Sequence, residues 1–478
     1  MRRAVHFAFP ILFIVFFVLL AWYFLYMRNA DTMYFLQDRG WWNSTALFWN
    51  DCMRFPGGFL SWAGAYLTQF FYYPAVGCVM LIVLWLATFG LAKWSFKVPN
   101  EWSFLLFIPM AALLCSIIQL GYWVYILKDV DYVFYHSLGL FFALILSLPF
   151  WQYLPVNEKV QKWIAIAWIP LVAALFYYPL GIYALLAATL VAVRTSWKSL
   201  LLLVPTLWLV PLLETSGTTV MRPDQPWLYG FRKFELDDLR DYSLEIPFYI
   251  ALATPLFFPF IKKIKLKKSL LSLGVMVIVA GLMYFCLSSR DFADYNFHAE
   301  MRMQRGVEEC RWNDVLREAG MVKGPVTREM VMFRDIALIN TGKFCSSRYA
   351  YNNESVQPVT VSDSIHIRIC DQAGDLIYYN FGETIFAIRR AIERCMHYGY
   401  SYYTMRVLTQ CALINGELDN ARKYLRILSR STFQKKWAEQ MKRILDDERL
   451  LLTDEHFRMP LKLYNEGSEL VGTDDKYV

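Results

Sequence analysis

Five lysines, Lys262, Lys263, Lys265, Lys267 and Lys268, stand within seven residues between two apolar stretches. A Lys at the centre of a membrane helix costs about 2.5–3.5 kcal/mol, so this run has to lie in a loop. Short loops rich in Lys and Arg stay on the cytoplasmic face, and the run anchors the topology of everything around it. Nine apolar segments alternate with charged loops, at 5–26, 74–92, 102–119, 131–151, 163–176, 180–193, 199–213, 247–261 and 269–288. With nine spans, the loops on the lysine side carry Arg2, Arg3, Lys93, Lys97, Lys159, Lys162, Arg194, Lys198 and the run itself. That is thirteen basic residues in 36, against eight in 94 on the other side. The fifth to seventh segments are shorter than the roughly 20 residues that cross about 30 Å of hydrocarbon, and Tyr177-Tyr178-Pro179 would permit one kinked helix over 163–193. Merging them exports the lysine run, so charge selects nine.

The expected fold class is therefore all-α: a polytopic membrane helix bundle over 1–288, followed by an exported α-helical domain over 289–459 and a polar tail over 460–478. The parity puts the N-terminus in the cytoplasm and the C-terminal domain in the periplasm of a bacterial inner (cytoplasmic) membrane. Met1-Arg2-Arg3 begins like a signal sequence, but about 22 apolar residues follow, beyond the roughly 7–15 of a cleaved signal. The sequence is 57% hydrophobic and 17% aromatic, too apolar for an ordinary soluble protein of its length. The net charge of +7 is a topological signal on loops and predicts no nucleic-acid partner. The lipid bilayer is the first partner. Nine cysteines and six histidines show no metal-ligand spacing. No metal site or cofactor is expected, although a divalent ion is compatible with the acidic loops below.

Two loops opposite the lysines are long, 27–73 and 214–246. Within the first, Gly58 to Tyr72 carries no charge, is too short to span, and lies between Pro56-Gly57 and Pro74, which predicts an interfacial or re-entrant helix. Phe71-Tyr72-Tyr73-Pro74 and Phe176-Tyr177-Tyr178-Pro179 repeat one motif at two predicted outer boundaries, as an aromatic belt or a stacking platform for sugars. After Arg290 the pattern becomes amphipathic. Ala337-Leu338-Ile339-Asn340-Thr341-Gly342 recurs 75 residues later as Ala412-Leu413-Ile414-Asn415-Gly416, about two units of a 34–38-residue helical hairpin. The continuation to Leu425 resembles the turn and second helix of a tetratricopeptide (TPR) repeat, implying about four degenerate hairpins between 295 and 447 and a surface for a protein partner. Val359, Val361, Ile365, Ile367 and Ile369 alternate weakly, as in a strand or extended insert.

The spans hold almost no ionisable side chains, which disfavours an ion-coupled transporter. His136 reads best as a satisfied interior histidine. Charge collects instead in the outer loops, and group transfer from a lipid phosphate needs a carboxylate to take a proton and cations to stabilise the leaving phosphate. Asp31, Asp38 and Asp51 are the candidate catalytic carboxylates, Asp31 first as general base. Arg54, Arg222, Arg232 and Lys233 are the candidate phosphate ligands.

An inside N-terminus, one helix, a long first outer loop with an acidic residue near its start and an exported C-terminal domain resemble the membrane glycosyltransferases of the C-type fold. Asp31-Thr32-Met33-Tyr34 stands at the place of their acidic motif and Arg54-Phe55-Pro56-Gly57-Gly58 at that of a basic, proline-containing segment. The paired Asp-Glu of one large branch is Asp-Thr here and the double proline is Pro-Gly. The resemblance implies a polyprenyl-phosphate-linked sugar donor at the periplasmic face, in envelope glycan or glycoprotein synthesis. Pro-Gly-Gly, Leu67-Thr68-Gln69-Phe70 and the repeat-like C-terminal domain also resemble the bacterial domain of unknown function numbered 6057, which implies a Gram-negative envelope protein with no established activity. The competing expectation is a non-catalytic scaffold whose helical domain recruits an envelope partner.

Overall fold

A computed structural model describes residues 2–128, 131–195, 199–216, 227, 242–262, 269–322, 324–353, 355–356 and 373–465. The chain is all-α. In the first part the helices are α1 (Arg2–Trp22), α2 (Ala30–Arg39), α3 (Ala46–Cys52), α4 (Gly58–Thr68), α5 (Pro74–Phe96), α6 (Ile108–Ile118), α7 (Tyr132–Leu146), α8 (Glu158–Leu180), α9 (Ile182–Thr195), α10 (Leu200–Thr215), α11 (Tyr242–Ala253), α12 (Phe258–Ile261) and α13 (Ser269–Arg290). The second part holds α14 (Tyr295–Glu308), α15 (Trp312–Met321), α16 (Arg328–Asn340), α17 (Phe344–Ser347), α18 (Gly374–Asn380), α19 (Thr384–Tyr398), α20 (Tyr402–Ile414), α21 (Leu418–Leu428), α22 (Lys435–Asp446) and α23 (Glu455–Asn465). Among the described residues the strands are β1 (Val326–Thr327) and β2 (Ser355–Val356), a two-residue parallel pair with Val326 opposite Ser355.

Among the described residues seven helical stretches are long and apolar enough to cross a membrane: Pro10–Arg28, Pro74–Phe96, Asn100–Ile118, Tyr132–Tyr153, Glu158–Leu180, Leu244–Ile261 and Leu271–Arg290. This corrects the expected nine. The sixth and seventh segments do form helices, α9 and α10, but their 14 and 16 residues fall short. At 1.5 Å per residue they reach about 21 and 24 Å, less than the hydrocarbon thickness. The other predicted spans could add polar-ended turns to reach full length, whereas Gly181 and the basic residues after Val193 clip these two.

Both short helices nevertheless run from one end of the bundle to the other. At the start of α9, the Tyr183 hydroxyl lies 2.8 Å from His136 Nδ1 at the start of α7. At its end, Arg194 donates to the Ser147 carbonyl (2.9 Å) and to Ser95 Oγ (2.6 Å), at the ends of α7 and α5. The α10 end returns to the α8–α9 turn, where the Tyr178 hydroxyl donates to the Glu214 carbonyl at 2.6 Å. Phe96 and Phe258 meet at 5.5 Å, so Lys97, Arg194 and Lys262 share one end of the bundle. The opposite end meets the C-terminal region, where Asp291 accepts from Arg28 Nε (3.0 Å) and Asn29 Nδ2 (3.1 Å). Large apolar side chains stand on the bundle surface, with Leu201 75% and Val277 60% exposed. That surface suits lipid rather than water.

The predicted uncharged helix after Pro56 is a separate element. It comprises α4 and a 3₁₀ turn, Gln69–Tyr72, and ends where Tyr73 turns extended (φ −109°, ψ 93°) and Pro74 opens α5. Its other end is built by two left-handed glycines, Gly57 (φ +83°) and Gly181 (φ +56°), which meet beneath the Tyr135 hydroxyl. Gly57 N–H donates to the Tyr178 carbonyl at 2.7 Å. The two copies of the Phe-Tyr-Tyr-Pro motif therefore take different duties. Tyr178 holds the start of α4, while Tyr72 stacks on Phe433 of the C-terminal region (5.4 Å, 8° between planes).

The C-terminal helices bury a second hydrophobic core, in which Met303, Phe333, Ala391, Cys411 and Met441 are each fully inaccessible or nearly so. Four helix ends close in one way, on a residue with positive φ: Cys310 (φ 55°), Gly342 (φ 70°), Gly382 (φ 82°) and Gly416 (φ 72°), spaced by 32, 40 and 34 residues. At each, the next residue's N–H reaches back five residues, as Lys343 to Leu338 (2.9 Å) and Glu417 to Ala412 (2.8 Å). The repeated Ala-Leu-Ile-Asn fragment is thus the C-terminal end of the first helix in two of four helix–turn–helix units. The alternating segment 359–369 and the tail beyond 465 lie outside the described residues.

Candidate functional site

Helix α2 follows the first long apolar stretch and is buried from Thr32 to Asp38. Helical spacing puts Asp31, Tyr34 and Asp38 on one stripe, and α14 meets it with Arg302, Arg305 and Glu308 in parallel register. Arg302 Nη1 donates to Asp31 at 2.9 Å and Arg302 also pairs with Glu318 at 3.0 Å. The Arg305 guanidinium lies 3.7 Å from the centre of the Tyr34 ring. Between Asp38 and Glu308 sits Arg406 of α20, bidentate to Asp38 (2.7 and 2.9 Å) and bonded to Glu308 (2.7 Å). The last pair is desolvated, with side-chain exposures of 4–12%, whereas the Asp31 pair is about one-third exposed. The burial decides the energetics: removing one partner of a buried pair costs about 3–5 kcal/mol, a solvated pair contributes about 0–1.

Beyond α2 the chain stays docked. Ser401 caps α20 by accepting from Thr404 N–H. Tyr402 then donates its N–H to the Gly40 carbonyl (3.2 Å), and its hydroxyl bridges Trp42 N–H (3.1 Å) and carbonyl (3.0 Å). Arg39 stacks on Tyr403 at 3.8 Å. A third tie joins the Tyr125 hydroxyl to Glu300 (2.7 Å), which also accepts from Thr327; burial raises that carboxyl to about 7.

Between the two docked halves opens a cleft of about 950 Å³. Gln37, Trp41, Asp51, Gln69, Lys128 and Asp131 line it from the first part, and Tyr398, Tyr400, Tyr402, Tyr424 and Arg430 from the second. Thr45 places α3 by capping Phe48 N–H at 3.3 Å, which brings Asp51 and Cys52 to the wall. Burial, then Asp131 and Asp51, push the Cys52 thiol up to about 12.

The three predicted carboxylates therefore separate. Asp31 and Asp38 are engaged by arginines of the C-terminal region. Asp51 lines the cleft, half exposed, with Arg54 3.6 Å away and more exposed still. Arg222, Arg232 and Lys233 lie outside the described residues. His136 is buried against Tyr183, as expected of an interior histidine. Among the described residues no group of three or more His, Cys, Asp or Glu side chains could hold a metal ion, and Cys52, Cys78, Cys115, Cys286, Cys310, Cys345, Cys395 and Cys411 are free thiols. Sequence reasoning missed Gln37, Arg302, Arg305, Glu308 and Arg406. Asp31 on α2 and Arg302 on α14 carried a signal, opposite charge on stripes of matching helical spacing; Gln37 and Arg406 carried none.

These features define an all-α protein of membrane type, in which a bundle with seven helices long and apolar enough to span a bilayer is clasped by a C-terminal helical region. The chain belongs to the family of unknown function DUF6057, whose model matches residues 4–475. No curated protein and no solved structure matches it.

Proposed function

We propose that this protein is a glycosyltransferase-like enzyme of the bacterial inner membrane, which uses a polyprenyl-phosphate-linked sugar at the periplasmic face for envelope glycan or glycoprotein synthesis. The observation that carries the reading is the cleft at the junction of bundle and C-terminal region, where a carboxylate, cations and aromatic rings converge. Asp51 replaces Asp31 as the candidate base, because Arg302 holds the Asp31 carboxylate in a 2.9 Å hydrogen bond, whereas Arg54 stands 3.6 Å from Asp51 on a more solvated pair that faces the cleft. Its carboxylate takes the proton of an acceptor hydroxyl as that oxygen bonds to the anomeric carbon. The bond from that carbon to the phosphate oxygen breaks, and the phosphate leaves with the electron pair, stabilised by Lys128. The orientation draws support from Lys97, Arg194 and Lys262 at one bundle end and the C-terminal region at the other.

The test is complementation of a deletion strain. Asp51→Asn keeps the shape and removes the basicity, so envelope glycan should fall by roughly 10²–10⁴ in rate while protein abundance holds. Full complementation by both Asp51→Asn and Lys128→Ala would sink the enzyme. A non-catalytic scaffold with a TPR-like periplasmic domain is the second reading. It is favoured by the four hairpin units and by apolar side chains left exposed on α19, Ile385 at 75% and Met396 at 81%. Under it, both point variants complement and removal of residues 291–478 does not.

A further inference from the structure

Among the described residues, two buried carboxamides that line the cleft have polar atoms without a partner. Gln37, on α2, is 1% exposed, and neither its Oε1 nor its Nε2 meets a hydrogen-bond partner. Gln69, on the turn after α4, is 2% exposed; its Nε2 donates to the Tyr66 carbonyl at 3.3 Å and its Oε1 is unpaired. Both side chains line the cleft. Buried amides are nearly always paired, and a leucine at either site would avoid the desolvation cost, so two buried amides with unpaired atoms beside one cleft point to a ligand. Across the same space Trp41 stands 5.4 Å from Tyr402 and 6.0 Å from Tyr400, a wall of rings drawn from both halves of the protein.

The donor and acceptor count identifies the ligand class. Two of the three orphan atoms are carbonyl oxygens, which need a donor. A phosphodiester has none to offer, and an aliphatic chain has neither donor nor acceptor. Sugar hydroxyls both donate and accept, and the C–H face of a pyranose lies flat on indole or phenol rings. We infer that the inner cleft, framed by Gln37, Gln69, Trp41 and Tyr400, is a subsite for an uncharged sugar ring, completed only when the C-terminal region is docked. It rests on the glycan reading above and adds where the sugar is gripped. The charged wall, with Asp51 and Lys128, is then left for the reacting end.

Saturation-transfer NMR on the full-length protein in nanodiscs free of glycosidic detergent tests it, with glucose, galactose, mannose and N-acetylglucosamine as probes. Inorganic phosphate and a neutral tetrapeptide serve as competitors. At least one sugar should give a signal that neither competitor displaces, weakened roughly five- to tenfold by Gln37→Leu and by Trp41→Ala. Without sugar, Gln37→Leu should melt no lower than wild type, because it removes an unpaired buried amide. No signal from any sugar, an unchanged signal in both variants, displacement by the peptide, or a lowered melting temperature for Gln37→Leu would overturn the subsite. The two readings fail separately. Sugar binding with an Asp51→Asn protein that still complements sinks transfer alone, and an inactive Asp51→Asn protein with no sugar binding sinks the subsite alone.

Discussion

Replacing Arg406 with leucine should unclasp the two halves of the protein. The guanidinium sits between Asp38 and Glu308 with N–O distances of 2.7–2.9 Å, and the three side chains are 4–12% exposed. Leucine fills much of the volume but leaves two buried carboxylates facing each other without the cation that bonds both. Stranding one buried charge costs about 3–5 kcal/mol, and Asp38 and Glu308 would have to take up a proton or drag in water. If the loss falls on docking, α2 opens more often. Each 1.36 kcal/mol is tenfold, so amide hydrogen exchange over residues 30–39 should speed up by roughly two to four orders of magnitude, while the core of α5 keeps its protection. Arg389→Leu is the control, since its pair with Glu393 is i,i+4 and 65% and 37% exposed; it should change exchange by about threefold at most. Asp38→Asn should act less than Arg406→Leu, because Arg406 keeps Glu308. Exchange over 30–39 within threefold of wild type in Arg406→Leu would refute the clasp.

Three further outcomes follow from the same geometry. Among the described residues Glu300 has no cationic partner; burial, with Asp294 adding repulsion, raises its carboxyl to about 7 against the hydrogen bonds from Tyr125 and Thr327. Its folded pKa exceeds the unfolded one of about 4.5, so the folded state holds the extra proton and stability should fall as pH rises from about 4.5 to 7, by about 1–3 kcal/mol. Glu300→Gln should flatten that slope in thermal melts at pH 5 and 8. Gly57→Ala would drive a Cβ into the Tyr135 hydroxyl at a φ of +83° and should cost about 2–4 kcal/mol, whereas Gly320→Ala, with open space around it, should be neutral or slightly stabilising in the same melts. In a cysteine-free background, Lys262→Cys should resist a membrane-impermeant thiol reagent in intact spheroplasts and Gly320→Cys should react; the reverse pattern would invert the orientation.

Much of the architecture was legible in local pattern. Period-3.6 apolar runs mark the helices, Pro56-Gly57 and Pro74 bound α4 and its 3₁₀ turn, and the repeated Ala-Leu-Ile-Asn-(Thr)-Gly marks two helix ends that need a left-handed residue. The lysine run names one end of the bundle by composition alone. These properties depend on neighbours a few residues apart, which a sequence lists in order. The number of full-length spans was less legible, because α9 and α10 meet the pattern while ending too soon. The site was hardly legible at all. Asp31 looks like a base until Arg302, 271 residues away, is found on it, and Asp38 looks solvated until Arg406, 368 residues away, closes over it. Gln37 sits in no motif and Gln69 in one that implies no role; their meaning comes from being buried, with unpaired amide oxygens, beside a cleft whose other wall begins more than 300 residues later. Hydrogen bonds and ion pairs depend on distance in space, and only the docking of the C-terminal region on α2 sets those distances.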